Sequence, residues 1–464
     1  MTDRLLIRGC EVVATMDREG SEISGGSIYA VDGVIRWVGV GDPPADVAGD
    51  AAGGPIEVVQ GRDTVALPGL GNTHHHIYQA MTRVLAQDQG LFGWLTRLYP
   101  IWAGLDAEWE LAASRVALAE LALSGCSLTT DHHYVFPPGR PGILEAEIEA
   151  AREIGLRFHP CRGSMDLSEK DGGLPPDAVV QDTDTVLAET DDAVDRFHDP
   201  SAGSMLRIAV APCSPFSVTE RLMKESAELA RRRSVRLHTH IAETLDEEEH
   251  CLARFGRRPI ELLDDLGWLG ADVWLAHCVH PSDRDIGSLA ATSTGVSWCP
   301  TSNLRTGAGL APVRALLDAG VPVGIGVDGS ASNDRGHLLD TARHGLLSAR
   351  APQGGPEGDP ARLSAREALR IATRGSADVL GRGDELGSIE AGRRADIALV
   401  PVDGLAYAGA QDDLVSAVLL CGVDRVRHLF VEGRAVVADG RLVNVDEDQV
   451  AAEGRAMARR ILGG

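Results

Sequence analysis

Side chains that could hold a metal ion first appear in the stretch LPGLGNTHHHIYQ, residues 67–79. It carries His74, His75 and His76, three of the 15 histidines in the chain. On an extended strand alternate side chains share a face, so His74 and His76 point one way and His75 points the other. A His-x-His pair alone is a weak signal, because two packed histidines give the same pattern. The pair predicts a metal site only if other ligands accompany it.

Three later stretches supply candidate partners for this pair. LHTHIAET contains His238, His240 and Glu243, LAHCVH contains His277 and His280, and GIGVDGSASND contains Asp328. A set of nitrogen donors with one carboxylate suits a borderline cation such as Zn²⁺ or Fe²⁺ better than Mg²⁺. We therefore expect one divalent metal ion, with zinc favoured and ferrous iron as the alternative.

Short apolar runs form the elements that must bring these residues together. There are eight of them: VALPGLGNTHHH, SLTTDHHYV, LRFHPCRGS, LRIAVAPCSP, VRLHTHIAE, VWLAHCVH, GVSWCPTSN and VPVGIGVDGS. Most are followed by helical sequence, and their polar residues stand at the carboxyl end. This alternation predicts an α/β fold with a (β/α)₈ barrel, whose strand ends converge on one mouth. A doubly wound open sheet is the alternative, but no Gly-x-Gly-x-x-Gly turn follows the first run.

The two ends of the chain differ from the middle. Residues 3–68 and 387–445 contain short alternating strands with turns, and each end is too small to make a good core alone. We expect the ends to pair into one small β-sandwich. The predicted division is 1–68 and 387–445 for the two parts of the sandwich, 69–386 for the barrel and 446–464 for a C-terminal helix.

Composition excludes several classes of partner. The net charge of −24 argues against a nucleic-acid partner, which requires a basic surface. No apolar run reaches the roughly 18 residues that span a bilayer, and the opening MTDRLLIRGCEVVATMD does not resemble a signal peptide. The eight cysteines are scattered without a Cys-x-x-Cys pair, as expected in a reducing compartment. We expect a cytoplasmic enzyme with a small-molecule substrate and no membrane partner.

The set PGLGNTHHH, HTHIAET, AHCVH and GVDGSASND resembles the amidohydrolase superfamily, in its branch of mononuclear cytosine, guanine and adenosine deaminases. The resemblance extends over essentially the whole chain, including GSIEAGRRADIALV near its end. It implies that the metal is held by His74, His76, His240 and Asp328. It also implies that Glu243 shuttles protons, that His277 acts beside the activated water, and that His238 packs near the site without binding metal. Assembly into a homo-oligomer is a further implication.

The implied roles agree with the chemistry of the residues. A metal can lower the pKa of bound water from about 15.7 to near 7. Glu243 follows His240 closely enough to take the water proton and pass it to a ring nitrogen. His277 and Asp328 can hold the hydroxide and stabilise the tetrahedral intermediate. A non-catalytic barrel scaffold is the alternative from another class, but competent residues occupy every implied ligand and acid-base position.

Three further residues are candidates for contacting the substrate ring. The amide of Gln79 could pair with a ring nitrogen or carbonyl, and Trp102 ends the aromatic-rich segment 86–102, which could cover a flat ligand. Packing of a barrel helix explains such aromatics equally well. Arg162 could anchor a ring oxygen, or it could form a salt bridge with Asp166 or Glu169 instead.

Longer stretches refine the resemblance. NTHHHIYQAMTR, RLYPIWAGL, CRGSMDLSEKDGGLPPDAVVQD and CPTSNLRTGAGLAPVR are similar to the 8-oxoguanine deaminase group. That similarity implies hydrolysis of the 2-amino group of 8-oxoguanine to urate and ammonia. Isoxanthopterin or other pterin deaminases, guanine deaminases and triazine hydrolases share much of the pattern and are the alternatives. Asp328 and the intact HIAET favour deamination over dechlorination.

Overall fold

The computed structural model describes residues 3–49, 55–353 and 356–463. Residues 1 and 464, the outer limits of the predicted division, lie outside the described residues. In chain order the strands are β1 (Arg4–Arg8), β2 (Val12–Ala14), β3 (Glu22–Ser24), β4 (Gly26–Val31), β5 (Val34–Val40), β6 (Ile56–Gln60), β7 (Thr64–Pro68), β8 (Leu70–Asn72), β9 (Cys126–His133), β10 (Arg157–Ser164), β11 (Ala209–Pro212), β12 (Arg236–Ile241), β13 (Val273–His277), β14 (Gly295–Trp298), β15 (Val323–Ile325), β16 (Ile397–Pro401), β17 (His428–Val431), β18 (Arg434–Ala438) and β19 (Arg441–Leu442).

The helices alternate with the strands through the middle of the chain. They are α1 (Ala45–Gly49), α2 (Leu91–Trp102), α3 (Ala107–Leu123), α4 (Ile143–Ile154), α5 (Thr183–Phe197), α6 (Glu220–Arg233), α7 (Leu245–Phe255), α8 (Pro259–Asp265), α9 (Asp283–Thr292), α10 (Pro300–Arg305), α11 (Val313–Asp318), α12 (Leu338–Arg350), α13 (Ala365–Arg370), α14 (Ser376–Val379), α15 (Leu414–Leu420) and α16 (Glu447–Leu462). Many begin at a side chain that accepts a hydrogen bond from the first turn, such as Asp106 before α3 and Thr219 before α6. The segment predicted to end the chain as a helix contains α16.

Strands β8 to β15 form a closed barrel in which every neighbouring pair is parallel. Seven of the eight apolar runs contain one of these strands completely, and SLTTDHHYV contains β9 except for its first residue, Cys126. The barrel strands are almost entirely buried, because they are covered by helices outside and fill the lumen inside. The predicted (β/α)₈ barrel is confirmed, and the carboxyl ends of its strands gather at one mouth.

Both ends of the chain contribute to a small β structure beside the barrel. One sheet has the order β5-β4-β1-β6, and the other has the order β19-β18-β17-β16-β7-β2-β3. In the second sheet β7, from the N-terminal end, pairs antiparallel with β16, from the C-terminal end, over Thr64–Pro68 and Ile397–Pro401. Residues of both sheets, among them Ile7, Ile28 and Phe430, share one buried apolar cluster. The predicted pairing of the two ends is confirmed.

Arg157, at the start of β10, joins the barrel to this β structure. Its guanidinium donates two hydrogen bonds to the carboxylate of Asp396, at 2.8 and 3.0 Å. A further bond of 2.7 Å runs to the carbonyl of Gly203. Both charged side chains are buried and compensate each other, and the guanidinium also forms an ion pair with Glu432. Within the described residues, no helix has the length and apolar character needed to cross a membrane.

Candidate active site

The three consecutive histidines lie at the barrel mouth, directly after β8. Strand-like bonds continue past the end of β8: Thr73 N donates to Ile325 O at 2.8 Å, and Asp328 N donates to His74 O at 3.0 Å. On the other side, His132 N donates to His75 O at 2.8 Å. The segment is therefore held extended between its neighbours. This explains why His74 and His76 converge, as expected for a strand, although the strand itself ends at Asn72.

Backbone carbonyls define the tautomers of His76 and His240. Nδ1 of His76 lies 2.8 Å from His132 O, and Nδ1 of His240 lies 2.7 Å from Cys213 O. A carbonyl oxygen only accepts, so both Nδ1 atoms carry the proton and both neutral rings present an Nε2 lone pair. These two Nε2 atoms are 3.0 Å apart. With both rings neutral neither atom can donate, and the two lone pairs are placed to share one cation.

A relay of two hydrogen bonds defines the tautomer of His74. Nδ1 of His238 donates to Trp274 O at 2.8 Å, which leaves Nε2 of His238 as an acceptor. Nδ1 of His74 lies 2.7 Å from that Nε2 and is the donor. The Nε2 lone pair of His74 is thus directed into the site, where it has no hydrogen-bond partner. This arrangement is usual for a metal-binding histidine, whose second nitrogen is fixed by another group.

Asp328 completes the group of converging atoms. Its Oδ1 lies 3.3 Å from Nε2 of both His74 and His76. Burial by itself would raise the pKa of Asp328, yet the pKa lies well below its usual value. Ser302 and Ser332 donate to Oδ2 at 2.5 and 2.9 Å. The carboxylate is therefore ionised and fixed in orientation.

The three histidines that converge with Asp328 are neutral. Burial lowers the pKa of His74, and burial together with the neighbouring imidazoles lowers the pKa of His76 and His240 well below the usual value. Neutral imidazoles and one carboxylate are the protonation states that bind a transition metal. The donor set of three nitrogens and one oxygen fits a borderline divalent cation.

Glu243 and His277 lie next to each other beside these atoms. Oε2 of Glu243 lies 3.6 Å from Nε2 of His277, and Nδ1 of His277 is 3.0 Å from Oδ1 of Asn303. Burial raises the pKa of Glu243 to about 7. Burial alone would lower the pKa of His277, but the carboxylates of Glu243 and Asp328 raise it above its usual value. A carboxyl group that titrates near neutral pH is suited to proton transfer.

The backbone around the pair is strained and is held by Glu247. Its two oxygens accept bonds of 2.9 and 2.8 Å from the N–H groups of Ala242 and Glu243. Ala242, His277 and Asp328 have φ values of 51, 73 and 62°, in the left-handed region that L-residues seldom adopt. Such strain concentrates at functional sites, where the surrounding structure supports it.

A cavity opens from these residues toward the loops of the barrel mouth. Its polar end contains His76, His240, Glu243, His277 and Asp328. Its other walls are apolar and aromatic: Leu91, Trp94, Leu95, Tyr99, Tyr134 and Phe216. Ser214, Ser302, Thr306 and Ser332 add hydroxyl groups. A flat aromatic ligand fits a cavity with this combination of walls.

The three predicted ring-contacting residues are absent from the described lining of this cavity. Gln79 is buried, and its Oε1 accepts a 3.3 Å bond from Ala331 N. Trp102 is buried among aromatic side chains and donates to Thr82 Oγ1 at 3.2 Å. The bonding partners of Gln79 and Trp102, Ala331 and Thr82, also lie outside the described lining of the cavity.

Arg162 belongs to a different cavity, beside Phe136. Its guanidinium lies 3.7 Å from the Phe136 ring and bonds to Gln181 and Glu189 at 2.7 and 2.5 Å. The salt bridge suggested as an alternative for this residue thus forms, with Glu189 as the partner instead of Asp166 or Glu169.

Other histidines near the motifs have different surroundings. His75 Nδ1 accepts a 2.8 Å bond from His76 N, and burial lowers the pKa of His75 to about 3. His280 bonds to Ala308 O at 2.8 Å, outside the cavity. His132, on β9, stacks on His240 with ring centroids 4.6 Å apart. The sequence signal for this position was that His132 stands near the carboxyl end of SLTTDHHYV, one of the eight apolar runs.

Comparison with known proteins agrees with this geometry. Residues 65–440 match the amidohydrolase family. The 8-oxoguanine deaminase of Pseudomonas aeruginosa is 43% identical over 454 residues, covering 97% of this chain and 98% of that protein. The hydroxydechloroatrazine ethylaminohydrolase of Pseudomonas sp. (strain ADP) is 37% identical, covering 99% of this chain and 96% of that protein.

A solved structure with a similar fold is the atrazine chlorohydrolase of Arthrobacter aurescens TC1 in complex with zinc. It superposes with a TM-score of 0.91 at 35% identity, covering 98% of this chain and 100% of that chain. The similarity therefore includes both the barrel and the β structure formed by the chain ends.

Proposed function

The chain belongs to the amidohydrolase family and is a hydrolase, and from this premise we propose that it deaminates an amino-substituted heteroaromatic ring. The proposed reaction is 8-oxoguanine plus water to urate plus ammonia. The sequence similarity to the P. aeruginosa enzyme named above supports this substrate. A guanine or pterin deaminase of the same mechanism is the alternative within the class.

One observation carries the proposal: the unprotonated Nε2 atoms of His76 and His240 lie 3.0 Å apart. His74 and Asp328 direct two more lone pairs to the same point. These four residues would hold one divalent cation, and their nitrogen-rich donor set favours Zn²⁺, with Fe²⁺ also acceptable. When bound, such a cation is a Lewis acid that makes water nucleophilic near neutral pH.

Glu243 performs the proton transfers in this proposal. As a carboxylate, it takes a proton from the attacking water and delivers it to the ring nitrogen next to the carbon that bears the amine. The water oxygen bonds to that carbon. A second proton from the attacking water then reaches the exocyclic nitrogen, the carbon–nitrogen bond breaks, and ammonia leaves. Both transfers take place beside Glu243 and His277, whose Oε2 and Nε2 atoms are 3.6 Å apart.

His277 and the aromatic walls position the reactants. The Asn303 bond at Nδ1 directs Nε2 of His277 toward the reacting oxygen, where it can stabilise developing negative charge. Trp94, Tyr99 and Phe216 form an apolar slot in which a purine ring can lie flat while excluding bulk water.

Hydrolysis of a triazine is the second candidate, because a hydroxydechloroatrazine ethylaminohydrolase is 37% identical over nearly the whole chain. The two candidates differ in the leaving group and in the ring that fits between the aromatic walls. Both use the same cation and the same proton shuttle.

A substrate panel with metal analysis of the same sample tests the proposal. The panel contains 8-oxoguanine, guanine, isoxanthopterin, cytosine, and hydroxy- and chlorotriazines, with ammonia and chloride release as the readouts. We expect ammonia from 8-oxoguanine at the highest kcat/KM and one metal ion at the site. Ammonia from none of the amino substrates would refute the deaminase assignment. The Glu243→Gln variant, run in parallel, controls for contaminating activity.

A further inference from the structure

A second group of converging ligand atoms lies outside the barrel wall, behind β9. It consists of Glu110 on α3, Glu147 on α4, and Asp131 and His133 on β9, all fully buried. Alternate residues of a strand face opposite sides, so Asp131 and His133 face the helices while His132 faces the lumen. This group, which we call the outer cluster, is separate from the cavity described above.

Three members of the outer cluster are anchored through one atom only. Ser114 donates to Oε1 of Glu110 at 3.0 Å, and Ile77 N donates to Oδ1 of Asp131 at 2.7 Å. Nε2 of His133 lies 2.9 Å from Val135 O, so this nitrogen carries the proton. In each case the second ligand atom is left without a hydrogen bond: Glu110 Oε2, Asp131 Oδ2 and His133 Nδ1. Both oxygens of Glu147 are also without one.

Ligand atoms of Glu110, Glu147 and His133 lie within 4.8 Å of one another, and Asp131 Oδ2 lies beside them. Nδ1 of His133 lies 2.7 Å from Oε1 of Glu147, but the two atoms do not form a hydrogen bond with each other. It is 3.8 Å from Oε2 of Glu110 and 3.8 Å from Oδ2 of Asp131. Because the proton of the neutral ring is on Nε2, Nδ1 presents a lone pair to three carboxylates. Lone pairs arranged in this way repel one another unless a positive charge lies between them.

The protein supplies little positive charge of its own here. Among the described residues, His133 is the only basic side chain within ion-pair distance of these three carboxylates. Burial raises the pKa of Glu110 to about 8, and it raises the pKa of Asp131 and Glu147 well above the usual values. Ionised carboxylates without compensation are costly in such surroundings.

We propose that the outer cluster binds a second divalent cation, with His133 Nδ1 and one oxygen each of Glu110, Glu147 and Asp131 as ligands. Anchoring of each ligand through its other atom is the arrangement found around bound metals. One imidazole with carboxylates suits a first-row transition metal, of which Mn²⁺, Fe²⁺ and Zn²⁺ are examples. The cation would also support the first site, because Asp131 holds the backbone N–H of Ile77, the residue after His76.

Metal stoichiometry tests this proposal. The full chain is stripped with a chelator, reconstituted with Zn²⁺ or Mn²⁺ alone, desalted, and analysed by mass spectrometry of the elements. We expect two equivalents per chain for the wild type and one for Glu147→Gln or His133→Ala. Glu149→Gln, an exposed residue of the same helix, is the matched control and should retain two. One equivalent in the wild type would overturn the proposal, and protons instead of a metal ion would then neutralise the outer cluster. Two equivalents in Glu147→Gln would also overturn the proposal.

Two further measurements show which of the two sites each metal ion occupies. Anomalous diffraction from a crystal of the reconstituted wild type should give a peak about 2.0–2.3 Å from His133 Nδ1, and it decides the question if the variants fail to fold. A map without this peak would overturn the proposal. His240→Ala should lose the other equivalent and keep the outer one. A chain that deaminates none of the substrates but binds two equivalents would refute the proposed function and leave the second site intact.

Discussion

Nδ1 of His74 donates a 2.7 Å hydrogen bond to Nε2 of His238, and Nδ1 of His238 donates in turn to the carbonyl of Trp274. The relay fixes which nitrogen of His74 is unprotonated and where its lone pair points. His238 also stacks on the Trp274 ring, with centroids 4.3 Å apart, so it cannot rotate freely. A residue that the sequence placed beside the site without a ligand role thus controls the protonation of a proposed ligand.

The first prediction follows from this relay. His238→Ala should lower metal affinity by about 10–100-fold, because His74 loses the acceptor that fixes its tautomer. Competition with a chelator of known affinity measures the change, and excess metal should restore part of the activity. His344→Ala, at an exposed histidine, is the control. Unchanged metal affinity in His238→Ala would show that the relay does not determine the protonation of His74.

The second prediction concerns the proton shuttle. Glu243→Gln should keep its metal and its fold but lose about 10²–10⁴-fold in kcat, because the amide cannot accept the water proton. Stopped assays of ammonia release, together with metal analysis, measure both quantities. Glu249→Gln changes an exposed carboxylate on the following helix and should behave as the wild type. Turnover by Glu243→Gln at the wild-type rate would exclude the shuttle role.

The third prediction is a pH dependence of catalysis. Burial raises the pKa of Glu243 to about 7, and a bound cation nearby favours the ionised form, so about 7 is an upper limit in the loaded enzyme. Glu243 must be ionised to take a proton. Therefore kcat/KM should fall as the pH falls through the interval between the usual value of 4.5 and about 7. The residual activity of Glu243→Gln should lack this acidic limb, and persistence of the limb in that variant would assign it to another group.

Much of the fold and of the inner site can be predicted from the sequence because those signals are local. Each barrel strand is a short apolar run with polar residues at its carboxyl end, and the topology then brings His74, His240 and Asp328 together. The alternation of side chains on an extended segment also separates His75 from its neighbours. These rules need no knowledge of how helices pack against the barrel.

The rest depends on packing that local rules do not describe. Arg162 lies within β10 and faces Glu189 on α5, which no pattern in its own segment indicates. The cavity walls come from α2 and from the loop that carries Phe216, whose positions depend on long connections. Glu110 and Glu147 lie on helices that cover the barrel, where a glutamate usually faces solvent, and only the structure reveals that both are buried.

The last prediction concerns the connection between the barrel and the β structure. Arg157 is fully buried, and its guanidinium bonds to both oxygens of Asp396, which lies 239 positions later in the chain. Arg157→Ala removes the cation and leaves the Asp396 carboxylate buried without its partner. Breaking a buried ion pair on one side costs about 3–5 kcal/mol, so the free energy of unfolding should decrease by that amount.

Denaturant titration monitored by tryptophan fluorescence measures the effect, with Arg152→Ala at an exposed position as the control. In Asp396→Asn the guanidinium keeps its ion pair with Glu432 and a hydrogen-bond acceptor at position 396, so this variant should be destabilised less than Arg157→Ala. The double variant should be more stable than the sum of the single effects predicts, because the second substitution removes a group that the first left unpaired. Equal stability of Arg157→Ala and Arg152→Ala would mean that the pair is dispensable.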